Sequence, residues 1–262
     1  MDDLKRYEEL VKTIEYHNDL YYNQDDPKIS DYEYDMMMKE LKKLEKDHPE
    51  YVTPSSPTQH VGGSAKREAG VLVRHRVPML SLQDVFSKEE VQDFVKSMQE
   101  TLVDPVFVVE YKIDGLSMAL RYENGLLTTA ITRGDGIIQG EDVTVNAKVI
   151  KDVKNKLKEP IEYLEVRGEV YMTNEAFDKV NEIQELNNKK TFANPRNCAA
   201  GTLRQLDSRI TKQRNLSMFI FNIQDIRGKE ITSHSQGYEY LKIQGMKVID
   251  NYQVCHNFEE VW

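Results

Sequence analysis

Residues 107–136 read FVVEYKIDGLSMALRYENGLLTTAITRGDG. Asn124-Gly125 sits midway through residues 116–133, flanked by apolar stretches. Asn-Gly readily takes the positive φ angles of a tight turn, so the spacing predicts a β-hairpin. PVFVVEYK, residues 105–112, predicts a strand just before it. YLEVRGEVYM (163–172) and LSMFIFNIQDI (216–226) predict two further strands, with a helix over 174–187 between them. Ser87 followed by Glu90 has the spacing of a capping box and predicts a helix running to about residue 101. Strands joined locally by hairpins, with helices placed irregularly, predict an α+β domain of mainly antiparallel sheets with flanking helices. A doubly wound parallel sheet would need regular strand–helix alternation. No internal repeat or low-complexity tract is present.

Upstream the period changes. Leu4, Tyr7, Leu10, Val11, Ile14 and Leu20 recur every three or four residues and predict one helix with an apolar stripe. The pattern breaks at 24–29 around Pro27. Ser30 with Glu33 opens a second helix that turns Tyr34, Met37, Met38, Leu41 and Leu44 inward, and His48-Pro49 closes it. The stretch TPSSPTQHVGGSAKREAG, residues 53–70, is rich in Pro, Gly and Ser. It is read as a linker, giving a helical subdomain over 1–65 and a second domain over 66–262.

The chain has 262 residues, enough for a substantial core. Its 39% hydrophobic and 30% charged residues are ordinary for a globular protein. No apolar run is long enough for a membrane span, and MDDLKRYEEL lacks the apolar core of a secretory signal. Two cysteines, Cys198 and Cys255, are too few for a disulfide framework or a four-ligand zinc site, and a reduced cytoplasmic setting is expected. No residue is put forward as a metal ligand. The net charge of −9 argues against a chain that coats itself in nucleic acid. Charge is uneven, however. Residues 1–50 carry a net −7, whereas 189–214 carry seven basic side chains against Asp207 alone. A solvated basic face is the ordinary reading of such a run, and a phosphate-handling surface is the alternative.

The sharpest chemical signal is Glu110-Tyr111-Lys112-Ile113-Asp114-Gly115. If the strand continues through it, Glu110, Lys112 and Asp114 share one face, because side chains alternate with period two. A salt bridge from Lys112 to either acid is one reading. A nucleophilic lysine is the other. An attacking amine must be neutral, so a lysine's ordinary pKa of about 10.4 has to be lowered by nearby cations or by desolvation. Further motifs follow in order: TRGDG at 132–136, VRGEV at 166–170, FANPRN at 192–197 and AAGTLRQLD at 199–207.

In this order the motifs resemble those of the polynucleotide ligase family of nucleotidyltransferases, and their spelling resembles the bacterial NAD-dependent branch. The helical pair with its DYEYD string resembles a module of that branch. The resemblance implies an NAD-dependent DNA ligase in which Lys112 attacks the AMP phosphate of NAD. The product would be lysyl-AMP with release of nicotinamide mononucleotide (NMN), the first step of DNA nick sealing in replication and repair. It further implies that Glu110 accepts from the adenine amino group and that Arg133 and Glu169 hold the ribose. The backbone at Ser81 and Leu82, in PMLSL, would line the nucleotide pocket, and Phe221 would stack on adenine. Mg²⁺ and arginines would balance phosphate charge. Tyr22, Asp31, Tyr34 and Asp35 would read the cationic nicotinamide, to which aromatic faces and carboxylates are both suited. Packing between the two helices is the plainer reading of these tyrosines.

The partners implied are NAD and nicked double-stranded DNA, with no membrane, and a monomer is expected. The loop GDGIIQGED (134–142) is one residue longer than the family's usual spacing. The family's remaining nucleotidyltransferase motifs and its DNA-encircling domains would lie beyond Trp262. The chain is thus expected to be a portion of a longer enzyme and poorly active alone. An ATP-dependent or capping-type nucleotidyltransferase, or a non-catalytic DNA-binding module, are the competing readings.

Overall fold

Two helices, α1 (Asp3–Asn18) and α2 (Asp31–Asp47), open the chain. The computed structural model describes residues 3–20, 28–53, 56–59 and 70–262, without the side chain of Asp31. Ser30 and Glu33 form the expected capping box at the start of α2, and His48 caps its end. Tyr7, Leu10, Ile14 and Leu41 are buried between the helices, with Tyr34, Met37, Met38 and Leu44 packed against them. Leu4 departs from the expected stripe and is exposed. Arg6 grips Glu40 with two 2.7 Å hydrogen bonds across the pair. The first part of the expected linker belongs to this unit: Ser56 and Thr58 each donate to Glu45 at 2.5 Å.

The second part contains β1 (Leu72–Arg74), α3 (Lys88–Thr101), β2 (Phe107–Glu110), β3 (Leu116–Glu123), β4 (Leu126–Thr132) and β5 (Gln139–Glu141). There follow α4 (Thr144–Ala147), β6 (Tyr163–Tyr171), α5 (Asn174–Leu186), α6 (Pro195–Leu203), α7 (Ser208–Gln213), β7 (Ser217–Arg227), α8 (His234–Ile243), β8 (Tyr252–Cys255) and α9 (Phe258–Val261). One antiparallel sheet has the order β4-β3-β6-β7, and β1–β5 and β2–β8 form two-stranded antiparallel sheets. The architecture is α+β, as expected. The β3–β4 hairpin turns at Asn124 and Gly125, both at positive φ. Four helices within or after the basic run, α6, α7, α8 and α9, are additions to the sequence reading.

One strand is shorter than expected. The β2 ladder with β8 ends at Glu110, opposite Tyr252, so Tyr111 to Gly115 form a connection between two sheets. Glu110, Lys112 and Asp114 therefore do not share a strand face.

The four-stranded sheet has two unlike faces. Met118, Leu120, Val166, Val170, Met218 and Ile220 point into the core, which also contains Ala176 of α5, Cys198, Ala199 and Leu203 of α6, and Tyr238 and Leu241 of α8. Side chains alternate along a strand, so Ser117, Arg167, Glu169 and Phe219 project from the opposite face. That polar face carries the site. Among the described residues no helix is long and apolar enough to cross a membrane.

Candidate nucleotide-binding site

Lys112 is exposed in the connection from β2 to β3. The connection is held down at Gly115, where a Cβ would lie 2.1 Å from the carbonyl oxygen of Val170 and 3.1 Å from Glu169 Cγ. Only a glycine fits so close to β6. This contact brings Lys112 towards Glu169. Burial pushes the Glu169 carboxyl above its ordinary value. A hydrogen bond from Ser117 Oγ at 2.7 Å and the charges of Arg196, Lys112 and Arg167 pull it back in part. Arg196, in the first turn of α6, also lies 3.4 Å from Asp114. The lysine thus stands among two carboxylates and two arginines drawn from β6, α6 and its own loop.

Two arginines fasten the PMLSL segment to the sheet. Arg133 donates to the carbonyl of Met79 at 3.1 Å and to Ser81 Oγ at 2.5 Å. Arg167 donates to the carbonyl of Leu80 at 2.9 Å. Leu82, next along, is 76% exposed. The longer GDGIIQGED loop closes on itself: Asp135 Oδ1 accepts from the backbone N–H groups of Ile137, Ile138 and Gln139. Burial pushes the Asp135 carboxyl up, but these three donors outweigh it and hold it below the usual range. His75 bonds the carbonyl of Arg133 at 2.8 Å.

Phe221 occupies a bulge. Arg167 pairs with Asn222 and Gly168 with Ile220, so Phe221 is the surplus residue of β7. A bulge re-aims a side chain, and here the ring comes beneath the Arg167 guanidinium, 5.4 Å from centroid to carbon. Phe221 also lines a cavity of about 470 Å³ together with Asn222, Ser233, His234 and Tyr238. Glu110 faces the same helix: its Oε2 accepts from Tyr238 Oη and lies 3.4 Å from His234 Nε2.

The structure therefore brings Lys112, Glu169, Ser117, Arg196 and Arg167 together, and sets Arg133 and Ser81 beside them through the strapped segment. Glu110 bonds to His234 and Tyr238 of α8, and Phe221 lines a cavity with the same two residues. Ser117, His234 and Tyr238 escape sequence reasoning; the i,i+4 spacing of His234 and Tyr238 after a Ser233 cap is the one local sign that they share a helix face. In the N-terminal pair Tyr34 is half-buried and donates to Asn18 Oδ1 at 2.7 Å, and Asp35 follows it on α2. Tyr22 lies outside the described residues, as does the side chain of Asp31. Within the basic run, Arg209 is bonded to Asp207, Arg204 to Glu141, and Arg214 to Thr202.

Comparison with known proteins fits this geometry. Residues 70–262 match the family model of the NAD-dependent DNA ligase adenylation domain, and residues 1–62 match that of the DNA ligase-like N-terminal NAD⁺-binding domain. The chain is 55% identical to a DNA ligase of Clostridium kluyveri over 262 residues, covering all of this chain and 39% of the relative. It is 53% identical over 260 residues to a DNA ligase of Caldicellulosiruptor saccharolyticus, covering 98% of this chain and 38% of the relative. A DNA ligase of Acetivibrio thermocellus is 49% identical over 263 residues, covering all of this chain and 39% of the relative. The chain spans about two-fifths of the length of these curated relatives. It belongs to the NAD-dependent DNA ligase family, as that family's adenylation domain preceded by its N-terminal NAD⁺-binding domain.

Proposed function

We propose that the chain binds NAD⁺ and transfers its AMP to Lys112, the first step of sealing a nick in duplex DNA. The observation that carries this reading is the convergence of Lys112 with Glu169 and Arg196 through the tight β2–β3 connection. After losing a proton to solvent, Lys112 Nζ attacks the adenylyl phosphorus. A P–N bond forms, the P–O bond to the NMN phosphate breaks, and NMN leaves with the electron pair. Arg196 and Arg167 supply positive charge where the phosphates would lie. Glu169 and Arg133 hold the ribose, Glu110 accepts from the adenine amino group, and the backbone at Ser81 and Leu82 lines the pocket. Phe221 offers a π-face to the base.

Tyr22, Asp31, Tyr34 and Asp35 read the nicotinamide half, within a helical subdomain assigned to residues 1–65 ahead of a domain at 66–262. The tie between Tyr34 and Asn18 supports an edge of that surface fixed by the helix pair. Mg²⁺ fits the donor set only as an ion carried chiefly by phosphate oxygens and water. Among the described residues no group of three or more His, Cys, Asp or Glu could hold a metal, and Asp114 and Glu169 are the carboxylates flanking Lys112. Such an ion supplies charge neutralisation to the phosphates. The longer protein would act on nicked DNA in replication and repair, as a cytoplasmic monomer.

The test is mass spectrometry after incubation with NAD⁺ and Mg²⁺. The chain should gain about 329 Da, the mass of AMP less water, as attack by a lysine on the adenylyl group requires. Lys112→Ala should gain nothing while still binding AMP. An adduct on the variant sinks the assignment of Lys112; an adduct formed from ATP and not from NAD⁺ sinks the choice of substrate.

A further inference from the structure

Glu110 is the last residue of β2, and its carboxylate is not left to turn freely. Tyr238 of α8 donates its phenolic hydrogen to Oε2. His234, one turn earlier on the same helix, places Nε2 3.4 Å from that same oxygen. The two rings pack against each other, 4.5 Å between centroids. Tyr238 packs in turn on Tyr252, 5.2 Å away, and Tyr252 is the residue paired with Glu110 across the β2–β8 ladder. Tyr238 is only 1% exposed. Its position is thus fixed by the core, and through it one oxygen of Glu110 is fixed too. Burial, then the adjacent carboxylate, push the phenol far above its ordinary value, so it stays a donor. Among the described residues both side-chain partners of Glu110 meet Oε2, and neither of them engages Oε1.

We propose that Tyr238, assisted by His234, positions Glu110 so that Oε1 accepts from a 6-amino purine, and thereby sets the preference of the site for adenine over hypoxanthine. The inference rests on the reading of Glu110 as the adenine acceptor. A hypoxanthine base presents a carbonyl oxygen where adenine presents an amino group. Against a fixed carboxylate oxygen, two acceptors would face each other with no hydrogen between them, which is costly in a water-poor pocket. Against a carboxylate that can rotate, the repulsion is relieved and discrimination falls. His234 and Tyr238, the partners of this carboxylate, also line the cavity that Phe221 lines, so the ring that would stack and the group that would select are joined through the same two side chains.

The experiment measures dissociation constants of AMP and IMP for the intact chain, for Tyr238→Phe and for His234→Ala, with thermal unfolding alongside. Wild type should prefer AMP by at least about tenfold, the scale of one hydrogen-bonded discrimination. Tyr238→Phe keeps the ring in the core and removes only the donor, so it should lower that preference at least about fivefold, chiefly by weakening AMP. His234, with a side chain 35% exposed, tolerates truncation without a core defect, and His234→Ala should lower the preference in the same direction by a smaller factor. General damage to the fold would weaken both nucleotides alike and leave their ratio unchanged. A wild-type preference kept intact by both variants overturns the positioning role alone. A wild type that binds both nucleotides equally overturns the role of Glu110, and the proposal with it.

Discussion

The guanidinium of Arg167 lies over the ring of Phe221, and Phe221 is the surplus residue of the bulge that faces Arg167 in β7. Beside the bulge β7 runs close to Gly168: a Cβ there would lie 2.3 Å from the carbonyl oxygen of Phe219. One side of the ring is thereby covered by a cation that also anchors Leu80. A purine would meet what remains of the ring. Phe221→Ala should weaken AMP binding by about tenfold, in line with the 1–3 kcal/mol that base–aromatic stacking contributes. Phe221→Tyr should bind within about twofold of wild type, since the π-face survives. Calorimetric titration distinguishes these; an unchanged affinity in Phe221→Ala removes the ring from the site.

Arg121 and Glu165 form a buried ion pair at 2.9 Å, with side chains 7% and 1% exposed. Tyr163 adds a 2.5 Å hydrogen bond to the same carboxylate oxygen, and Arg121 also donates to the carbonyl of Arg74. Burial and then the Glu165 carboxylate push the Tyr163 phenol up to about 12. Glu165→Ala strands a desolvated guanidinium and should cost about 3–5 kcal/mol in urea unfolding. The double variant Arg121→Met with Glu165→Leu should recover most of that loss, because no charge is left buried. Equal destabilisation in both would mean that shape, not charge, holds β3 to β6.

What could be read in the sequence was local. The Asn124-Gly125 turn and the Ser30 and Ser87 caps are encoded within four residues, and each stands where the pattern put it. The strand stops short of Lys112: apolar alternation continues past Glu110, but the four-residue β8 offers no partner beyond it. Strand length is set by a segment more than a hundred residues away. The same distance hides the contact between Tyr238 and Glu110, 128 positions apart. The basic run illustrates a different limit: composition counted its charges, but could not reveal that Arg204, Arg209 and Arg214 turn to internal partners.

Gly115 sets the position of Lys112 by contact alone. A methyl group there meets the Val170 carbonyl at 2.1 Å, backbone against side chain, with no flexible atom to move aside. Gly115→Ala should force the start of β3 away from β6 and lower stability by about 1–3 kcal/mol, the usual range for overpacking. Adduct formation on Lys112 should fall more steeply, by about a hundredfold, because small displacements of a reacting group are heavily penalised. A variant that is destabilised yet adenylates at the wild-type rate would show that the lysine loop is placed by something other than this contact.

Glu169 should make the protein less stable at neutral pH than a neutral side chain would. Burial is the largest influence on its carboxyl and raises it above the ordinary 4.5, against the opposing pull of Ser117, Arg196, Lys112 and Arg167. A carboxyl raised by folding binds its proton more tightly in the native than in the unfolded state. The stability this contributes is complete below 4.5, where both states are protonated, and is lost as pH rises through the folded value. Glu169→Gln keeps an acceptor for the Ser117 hydroxyl but never ionises. Relative to wild type it should gain melting temperature as pH rises above 4.5, with the difference levelling off once Glu169 is ionised in the fold. It should also lose nucleotide affinity, because the charged acceptor proposed for the ribose is gone. Stability rising while binding falls is the mark of a carboxylate retained for function at a cost to the fold. If instead the variant loses melting temperature as pH rises, the neighbouring cations outweigh burial, and Glu169 stabilises the fold as an ion pair.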